Sequence, residues 1–409
     1  MLDIAFNHSF LTGNEINCIK DVLKSGKFCG NGAYTHKCQD FFKRLLGSEK
    51  CLLTTSCTDA LEMCAMLADI KQGDEVIVPS YTFVSTALAF TRQGAKILFA
   101  ESHSTHPCID PVSVEQLITP KTKAIVVVHY AGVACDMNAF KRIAHEHNLL
   151  LIEDAAQAVD SYYITEGNAS MIGADISKID ASTGININEN VTKRCKKLPL
   201  GSIGDLAAFS FHETKNIQCG EGGLLAINNP LLMRRAEILW EKGTNRAEFF
   251  RGEINKYGWV DTGSSFLPNE YTAAFLWAQL EQMEQIQQRR KELWKRYFNN
   301  LYGKIPLNMP FIPNYATNNA HMFYVTTKTP AERTELIKYL KERGINAVFH
   351  YLSLHKSKFA IDNGMGGAEL PLADYYTDCL VRLPLFGALT EQEVDYVTKS
   401  IIDFYNKKI

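Results

Sequence analysis

The hydrophobic pattern of the chain alternates between short, wholly apolar runs and longer segments with apolar residues three or four positions apart. The short runs predict strands at residues 51–54, 75–78, 96–100, 124–128, 149–152, 206–211 and 222–227. The longer segments predict helices at 13–25, 34–46, 84–93, 112–118 and 137–147, with a further helix that ends at Leu67. Strands that are apolar throughout and alternate with helices indicate an α/β fold, with a mostly parallel central sheet covered on both faces.

The length of the chain predicts two domains. Its 409 residues exceed what one hydrophobic core usually accommodates. We predict a large domain over residues 1–295 and a smaller C-terminal α/β domain over 296–409, linked by a long helical segment at 271–301. Strands at 322–326 and 347–349, with helices at 330–343 and 391–405, would give the small domain a partly antiparallel sheet.

Charge and composition exclude several classes of partner. The 43 basic and 45 acidic residues leave a net charge of −2, which gives no basic footprint for nucleic acid or an anionic membrane. The N-terminus has no basic segment followed by an apolar core, and no apolar run is long enough to span a membrane. We therefore expect a cytoplasmic protein.

The eleven cysteines follow no regular spacing. They form no Cys-x-x-Cys pair, so neither a disulfide framework nor a zinc site is indicated. His103, His106 and Cys108 are grouped in a polar segment, but a group of this kind is more typical of a loop than of a metal site. No metal is expected.

Lys215 lies in a short loop between the predicted strands 206–211 and 222–227. Burial disfavours a charged ammonium, so a lysine enclosed there would have a lowered pKa and would act as a nucleophile for carbonyl groups. The common use of such a lysine is a covalent bond with pyridoxal 5′-phosphate. The alternative is a lysine that extends from the loop end into solvent, and this stretch alone does not decide between the two.

Other candidate residues follow the predicted strands, where ligands bind in open parallel sheets. Asp154 could hold a protonated ring nitrogen, or could cap the next loop. The small and hydroxyl residues at 55–59 begin a helix, which suits either a phosphate group or an ordinary N-cap. Tyr81 could stack on a flat ring or belong to the core.

The ordered series of motifs after these strands resembles one family. The motifs are Ser56-Cys57-Thr58, Pro79-Ser80-Tyr81-Thr82-Phe83, Val128-His129-Tyr130, Glu153-Asp154-Ala155-Ala156-Gln157, Ser210-Phe211-His212-Glu213-Thr214-Lys215-Asn216 and Gly220-Glu221-Gly222-Gly223. Two later motifs match as well, at residues 241–246 and 349–355. Together they are similar to the sugar aminotransferases of the DegT/DnrJ/EryC1/StrS family, nearly from end to end.

The resemblance implies a pyridoxal phosphate enzyme of fold type I. It places Lys215 at the lysine that binds the cofactor covalently, Asp154 at the pyridine nitrogen and Gln157 near the phenolic oxygen. It implies phosphate contacts and a ring-stacking position at four further residues, which are Cys57, Thr58, Ser210 and Tyr81. Asp154 and Lys215 are then the expected catalytic residues.

The resemblance also implies the partners. The amino donor would be L-glutamate and the acceptor a nucleotide-linked keto sugar, in a homodimer with active sites at the interface. Asn245 and Arg246 are candidates to reach across that interface, and His350 and His355 are candidates for sugar-nucleotide contacts or, alternatively, structural histidines. The form of the segment from Ser210 to Asn216 favours C4 of dTDP-4-keto-6-deoxyglucose over a C3 ketone, in the synthesis of surface polysaccharides such as the O-antigen of lipopolysaccharide.

Two other functions share this fold. A pyridoxamine-dependent sugar dehydratase would carry histidine in place of Lys215, so the lysine argues against it. A non-catalytic regulatory protein that keeps the cofactor fold is disfavoured because lysine, aspartate and glutamine are all retained.

The segment 164–197 departs from the family pattern. Asp154 and Lys215 are widely separated, and the polar residues between them, which end in a basic stretch, form an apparent insertion. Long segments without periodicity are usually surface insertions or functional lids. We favour a surface insertion, with a lid over the sugar-nucleotide site as the alternative.

Overall fold

A seven-stranded sheet forms the centre of the protein in the computed structural model, which describes residues 3–165, 179–180, 185–186 and 196–407. The strand order is β1-β11-β10-β5-β4-β2-β3. These strands are β1 (Lys50–Thr54), β2 (Glu75–Pro79), β3 (Lys96–Ala100), β4 (Thr122–Val128), β5 (Leu150–Asp154), β10 (Leu206–Ser210) and β11 (Gly223–Ile227). All pairings are parallel except those of β11, which runs antiparallel to both β1 and β10. The predicted α/β fold with a mostly parallel sheet is confirmed.

Helices cover the sheet and build the rest of the chain. They are α1 (Glu15–Ser25), α2 (Ala33–Leu46), α3 (Cys57–Leu67), α4 (Ser85–Thr91), α5 (Pro111–Leu117), α6 (Met137–Glu146), α7 (Pro230–Trp240), α8 (Arg246–Phe250), α9 (Glu270–Leu280), α10 (Met283–Leu301), α11 (Pro330–Lys341), α12 (Lys358–Asp362), α13 (Pro371–Cys379) and α14 (Glu391–Asn406). Every residue of β2, β10 and β11 is buried, as expected for strands with helices on both faces.

Two hydrophobic clusters divide the interior. The larger surrounds the central sheet, and the smaller joins α10, α11 and α14 to a two-stranded antiparallel sheet of β12 (Phe323–Thr326) and β13 (Leu380–Leu383). Helix α10 contributes Ile286 to the first cluster and Leu293 to the second. The predicted domain boundary at residue 295 therefore falls inside α10, which contributes to both hydrophobic clusters.

Two predictions for this C-terminal part are corrected in detail. The long helical segment expected at 271–301 is helical but divides into two helices, α9 and α10, with a turn at Glu281 and Gln282 where the chain passes from the large cluster to the small one. The strand expected at 347–349 is reduced to one bridge between Val348 and Arg382, since Phe349 already turns out to solvent.

The ends of the apparent insertion lie side by side. Two short strands, β6 (Tyr162–Ile164) and β9 (Lys197–Pro199), pair antiparallel, with Ile164 opposite Lys197. Between them only two two-residue strands are described, β7 (Ile179–Asp180) and β8 (Ile185–Asn186), which pair with each other. The rest of the segment 164–197 lies outside the described residues, so its role as a lid stays untested.

A buried carboxylate secures the end of β5. Glu153 accepts hydrogen bonds from the backbone N–H groups of Gly201, Ile203 and Gly204 at 2.6–2.7 Å, and lies 2.9 Å from Nε2 of His129. Burial opposes its charge, yet these partners hold the pKa of Glu153 below its usual value. The loop before β10 is thus fixed to the strand that carries Asp154.

In the described part of the chain, no helix has the length and apolar character that a membrane crossing requires.

We expect Glu153→Gln to destabilise the fold. An amide nitrogen in place of one carboxylate oxygen leaves backbone donors unpaired, at a cost of about 1–3 kcal/mol. The charged form of Glu153 is the favoured one in the folded state, so its contribution exists above the unfolded pKa of glutamate and is lost as pH falls through the lower folded pKa. Chemical denaturation of the variant should show reduced stability at neutral pH and a smaller further loss in acid.

The matched control is Glu292→Gln, which alters an exposed carboxylate in a 3.8 Å pair with Arg289. Its stability should change little. Equal stabilities for wild type and Glu153→Gln at neutral pH would contradict the role given to Glu153.

Candidate active site

One cavity of about 400 Å³ opens where the carboxyl ends of β4, β5 and β10 meet the start of α3. Its walls come from distant parts of the sequence, including the small C-terminal sheet. The lining residues that enter the account below are Cys57, Thr58, Phe83, Thr86, Asp154, Gln157, Ser210, Lys215, His321, His350, Tyr351 and Arg382. The sheet topology explains the location, since parallel strands direct their following loops to the same edge.

Lys215 enters the cavity from the loop between β10 and β11. Backbone bonds close this loop at both ends, from Phe211 N–H to the Gly222 carbonyl (2.8 Å) and from Lys215 N–H to the His212 carbonyl (2.9 Å). The next residue, Asn216, donates to Oε1 of Gln287 on α10 at 2.8 Å. The backbone of Lys215 is therefore fixed on both sides.

The ammonium group of Lys215 has no hydrogen bond or ion pair to any described residue. Burial lowers its pKa, although the nearby groups Cys57 and Asp154 act in the opposite direction. Burial thus shifts Lys215 toward the neutral amine, which is the form that attacks a carbonyl or accepts a proton.

Asp154 ends β5 and is 5% exposed. One carboxylate oxygen accepts from the Thr86 hydroxyl at 2.8 Å and the other from the Ala156 N–H at 3.1 Å. Burial raises the pKa of Asp154 above its usual value, while these hydrogen bonds lower it. A cation placed against this carboxylate would relieve the unfavourable burial of its charge.

The start of α3 forms a cradle for an anion. Ser56 caps the helix by accepting from Asp59 N–H at 3.1 Å, while Cys57 and Thr58, the first helical residues, line the cavity together with Ser210. A Cβ on Gly223 would lie only 2.3 Å from the carbonyl carbon of Ser56, so only glycine lets β11 approach this helix end. Free N–H groups at a helix start suit a phosphate.

Gln157 is held in a defined orientation beside the cavity. Its Oε1 accepts from the Ala131 N–H at 2.6 Å and its Nε2 donates to the Tyr351 hydroxyl at 3.0 Å. One N–H of the carboxamide remains to meet a ligand oxygen.

The ring-stacking prediction for Tyr81 is not supported. Tyr81 is 1% exposed, is absent from the cavity lining and packs against the rings of Tyr130, Tyr351 and Tyr376. Phe83, two residues further on, lines the cavity and is 56% exposed. The chain turns into α4 after β2, so the second aromatic residue of the motif, and not the first, faces the ligand space.

Of the two candidate histidines, only His350 lines the cavity. Its Nδ1 lies 2.6 Å from the Tyr130 hydroxyl, and burial holds the pKa of His350 well below its usual value. His355 lies outside the cavity lining, where it is 1% exposed and bonds to the Ser80 hydroxyl at 2.7 Å. It joins the C-terminal part to the end of β2, so the substrate role for His355 is not supported.

Asn245 and Arg246 do not reach the cavity of their own chain. Asn245 accepts from the Gly258 N–H at 2.8 Å, while Arg246 lies 3.6 Å from Glu241 and over the ring of Phe250. Their contact with a partner subunit's site stays a prediction.

The segment after β3 does not bring its three possible metal ligands together within the described residues. His106 packs against Phe311, and burial lowers its pKa to about 4. His106 and Cys108 are therefore part of the packing.

The lining residues that the sequence analysis did not single out include Thr86, His321 and Arg382. The sequence could have indicated Thr86, since it lies on the helix that follows the Pro79–Phe83 motif. It could not have indicated His321 and Arg382, because only the folded C-terminal part brings them to the cavity.

Comparison with known proteins identifies the family. Residues 10–402 match the DegT/DnrJ/EryC1/StrS aminotransferase family. The chain belongs to this family.

Several relatives extend over the whole chain. The spore coat polysaccharide biosynthesis protein SpsC of Bacillus subtilis is 30% identical over 95% of this chain and 94% of its own. The crystal structure of S. venezuelae DesV is 28% identical, with a TM-score of 0.81 and 99% of each chain covered. The aminotransferase TlmJ from Streptoalloteichus hindustanus shares the fold at 24% identity, with a TM-score of 0.84 over both full chains.

Members of the family depend on pyridoxal phosphate, which is the cofactor of this chain. The cavity fits it, because one space joins a helix start for the phosphate, a buried carboxylate for the ring nitrogen and an unpaired lysine for the aldehyde. The individual contacts of these residues with the cofactor stay predictions.

We expect Thr86→Val to weaken catalysis through Asp154. The Thr86 hydroxyl lowers the pKa of Asp154, so its removal raises that pKa and protonates the carboxylate at higher pH. The acid limb of the kcat/KM profile should move to higher pH. Thr86→Ser keeps the donor and should restore the wild-type profile, whereas identical profiles for Thr86→Val and wild type would rule out this role.

Proposed function

We propose that the protein transfers an amino group from L-glutamate to C4 of dTDP-4-keto-6-deoxyglucose. The observation that carries this proposal is the unpaired amine of Lys215 in one cavity with Asp154 and the start of α3. The form of the segment from Ser210 to Asn216 supports the sugar assignment by resemblance. The name of SpsC supports a place in the synthesis of deoxyamino sugars for surface polysaccharide, such as a lipopolysaccharide O-antigen.

The cofactor contacts that we propose divide among four groups of the chain. Lys215 binds the aldehyde carbon, Asp154 faces the ring nitrogen, and Gln157 meets the phenolic oxygen. The backbone of Cys57 and Thr58, with Ser210, holds the phosphate. Phe83 replaces Tyr81 as the ring-stacking residue, since its side chain lines the cavity and that of Tyr81 does not.

Pyridoxal phosphate supplies an electron-withdrawing ring that accepts the electron pair released at the substrate carbon. The carboxylate of Asp154 would lie against the ring nitrogen, and Thr86 and the Ala156 N–H hold that carboxylate in place. Burial disfavours an isolated charge on Asp154, so a cationic partner is bound more strongly there than it would be in water.

Lys215 is the proposed base of both half-reactions. The amino group of glutamate would first take the place of Nζ on the cofactor, and the freed Nζ would then move the α-proton of glutamate to the cofactor. In the second half-reaction these steps would run in reverse, and Nζ would deliver the proton to the sugar carbon. Only a neutral amine can accept that proton, and burial shifts the freed Lys215 toward that form. A base in this role typically contributes about 10²- to 10⁴-fold to the rate.

Two other functions are alternatives to a C4 aminotransferase. A C3-keto sugar aminotransferase would use the same residues on a different sugar, and only the product distinguishes it. A non-catalytic protein that binds the cofactor is less consistent with Lys215, Asp154 and Gln157 meeting at one cavity.

We further propose a homodimer in the cytoplasm. The segment after α7 exposes several large apolar side chains, namely those of Phe250, Tyr257, Trp259 and Val260. Exposed apolar groups of this extent are typical of protein interfaces. The segment also carries Asn245 and Arg246, which would then reach the partner's active site.

The sugar assignment is tested by the position of the new amine. Purified enzyme is incubated with L-glutamate and either dTDP-4-keto-6-deoxyglucose or the corresponding 3-keto isomer, and the product is analysed by NMR. We expect an amine at C4 from the first substrate only.

The negative control is Lys215→Ala, which should give no product, and Lys399→Ala alters an exposed lysine of α14 and should react as the wild type does. An amine at C3 would favour the alternative sugar. Full product formation by Lys215→Ala would contradict the proposed chemistry.

A further inference from the structure

His321 lines the active-site cavity from a backbone segment with an uncommon conformation. The residue before it, Ala320, has a positive φ of 54°, in the left-handed region that a residue with a Cβ rarely adopts. The backbone of His321 is held on both sides, since its N–H donates to Oδ1 of Asn319 at 3.0 Å and its carbonyl accepts from Arg290 at 2.8 Å. Strained backbone of this kind persists where the surrounding structure holds it in place, often at a functional site.

A buried network of amide side chains determines the orientation of Asn216, the residue after Lys215. Its Nδ2 donates to Oε1 of Gln287 at 2.8 Å and to the backbone carbonyl of Asn319 at 2.9 Å. A carbonyl oxygen can only accept, so the nitrogen of the carboxamide must be on this side. The oxygen Oδ1 of Asn216 therefore faces His321, where it lies 3.0 Å from Nδ1.

This contact determines which nitrogen of the His321 ring carries the proton. Because Oδ1 of Asn216 accepts, Nδ1 of His321 must be the donor. Burial holds the pKa of His321 well below its usual value, so the ring is neutral at pH 7. The neighbouring basic groups act in the same direction, and they are those of Lys215, Arg382, Arg290 and His350. A neutral ring with its proton on Nδ1 leaves Nε2 as an acceptor.

The segment of Lys215 lies against His321 on both sides of the lysine. Asn216, which follows Lys215, bonds to the His321 ring, and Thr214, which precedes it, borders a small cavity of about 10 Å³ together with His321. Lys215 and His321 also line the main cavity together. Nε2 of His321 has no hydrogen-bond partner within the described part of the chain, so it is available to the amine of Lys215.

Lys215 needs an acceptor whenever it is not bound to the cofactor. In the proposed function its amine is released in each half-reaction and then takes up a proton, which places an ammonium in a buried site. Cys57 and Asp154 favour that charge, whereas burial and Arg382 oppose it. A buried charge is costly unless a hydrogen bond compensates for the lost water.

We propose that Nε2 of His321 accepts a hydrogen bond from Nζ of Lys215 when the lysine is free of the cofactor. The inference rests on the proposed function, in which Lys215 is alternately bound and released. His321 is then a positioning residue, because it holds the protonated lysine beside the substrate carbon. Asn216 keeps the acceptor of His321 available by fixing the proton on the other ring nitrogen.

The test uses protein reconstituted directly with pyridoxamine 5′-phosphate, which leaves Lys215 free whether or not glutamate reacts. NMR of isotope-labelled lysine measures the acid dissociation constant of Lys215, whose signal is the one missing from Lys215→Ala. NMR of labelled histidine nitrogens shows which ring nitrogen of His321 carries the proton. Thermal unfolding shows whether each variant is folded.

Two substitutions separate the proposed role from a purely structural one. Asparagine can reproduce the bond from Nδ1 to Asn216 but has no group at the place of Nε2, whereas glutamine can put its amide oxygen there. His321→Asn should therefore raise the acid dissociation constant of Lys215 by about 10- to 100-fold, the equivalent of one hydrogen bond to a charged group. His321→Gln should recover part of this change.

The matched control is His106→Asn, which alters another buried histidine outside the cavity lining and should leave Lys215 unchanged. The inference is overturned if His321→Asn leaves the acid dissociation constant of Lys215 unchanged or lowers it. It is equally overturned if Nε2 of His321 carries the proton in the wild type, a result that does not depend on the folding of a variant. Wild-type protein that fails to react with glutamate would contradict the proposed function alone, because the NMR measurements do not require that reaction.

Discussion

Enclosure of an acidic and a basic group in one cavity, without an ion pair between them, is the constraint on which the site depends. Burial moves the pKa of Asp154 upward and that of Lys215 downward, so each group is driven toward its neutral form. No ion pair joins them in the described structure, and each remains free for a ligand. A cofactor with a cationic ring nitrogen and an electrophilic carbon suits this site, because the nitrogen can pair with Asp154 and the carbon can react with Lys215. Hydrogen bonds of neighbouring residues hold Asp154 and Lys215 in these positions. Glu153 fixes the strand that carries Asp154, and Asn216 fixes the loop that carries Lys215.

Most of the fold follows from local pattern. The strands of the central sheet are apolar at nearly every position, and their predicted positions agree with the structure to within a few residues. The errors arise where tertiary contacts override periodicity. Apolar spacing continues through residues 271–301, yet α9 packs on the large cluster and α10 passes to the small one, so the chain turns between them. The sequence pattern of residues 271–301 does not show that its two halves pack on different hydrophobic clusters.

The site was predictable to the extent that its residues lie at the ends of strands or in the loops that follow them. Asp154, Gln157, Ser210 and Lys215 do so, and the structure gathers them around one cavity. Tyr81 also follows a strand, but the turn into α4 directs it into the core. Arg382 was beyond the reach of this reasoning, because it is a strand residue of the small sheet that meets the cavity only after the C-terminal part has folded back.

The covalent link between cofactor and chain is the most direct test of the account. Purified holoenzyme is reduced with borohydride, which makes the link between cofactor and lysine permanent, then digested and analysed by mass spectrometry. The account predicts the added mass on the peptide that contains Lys215, at full occupancy and on no other lysine. A modified peptide that lacks Lys215, or a reduced protein without any added mass, would contradict it.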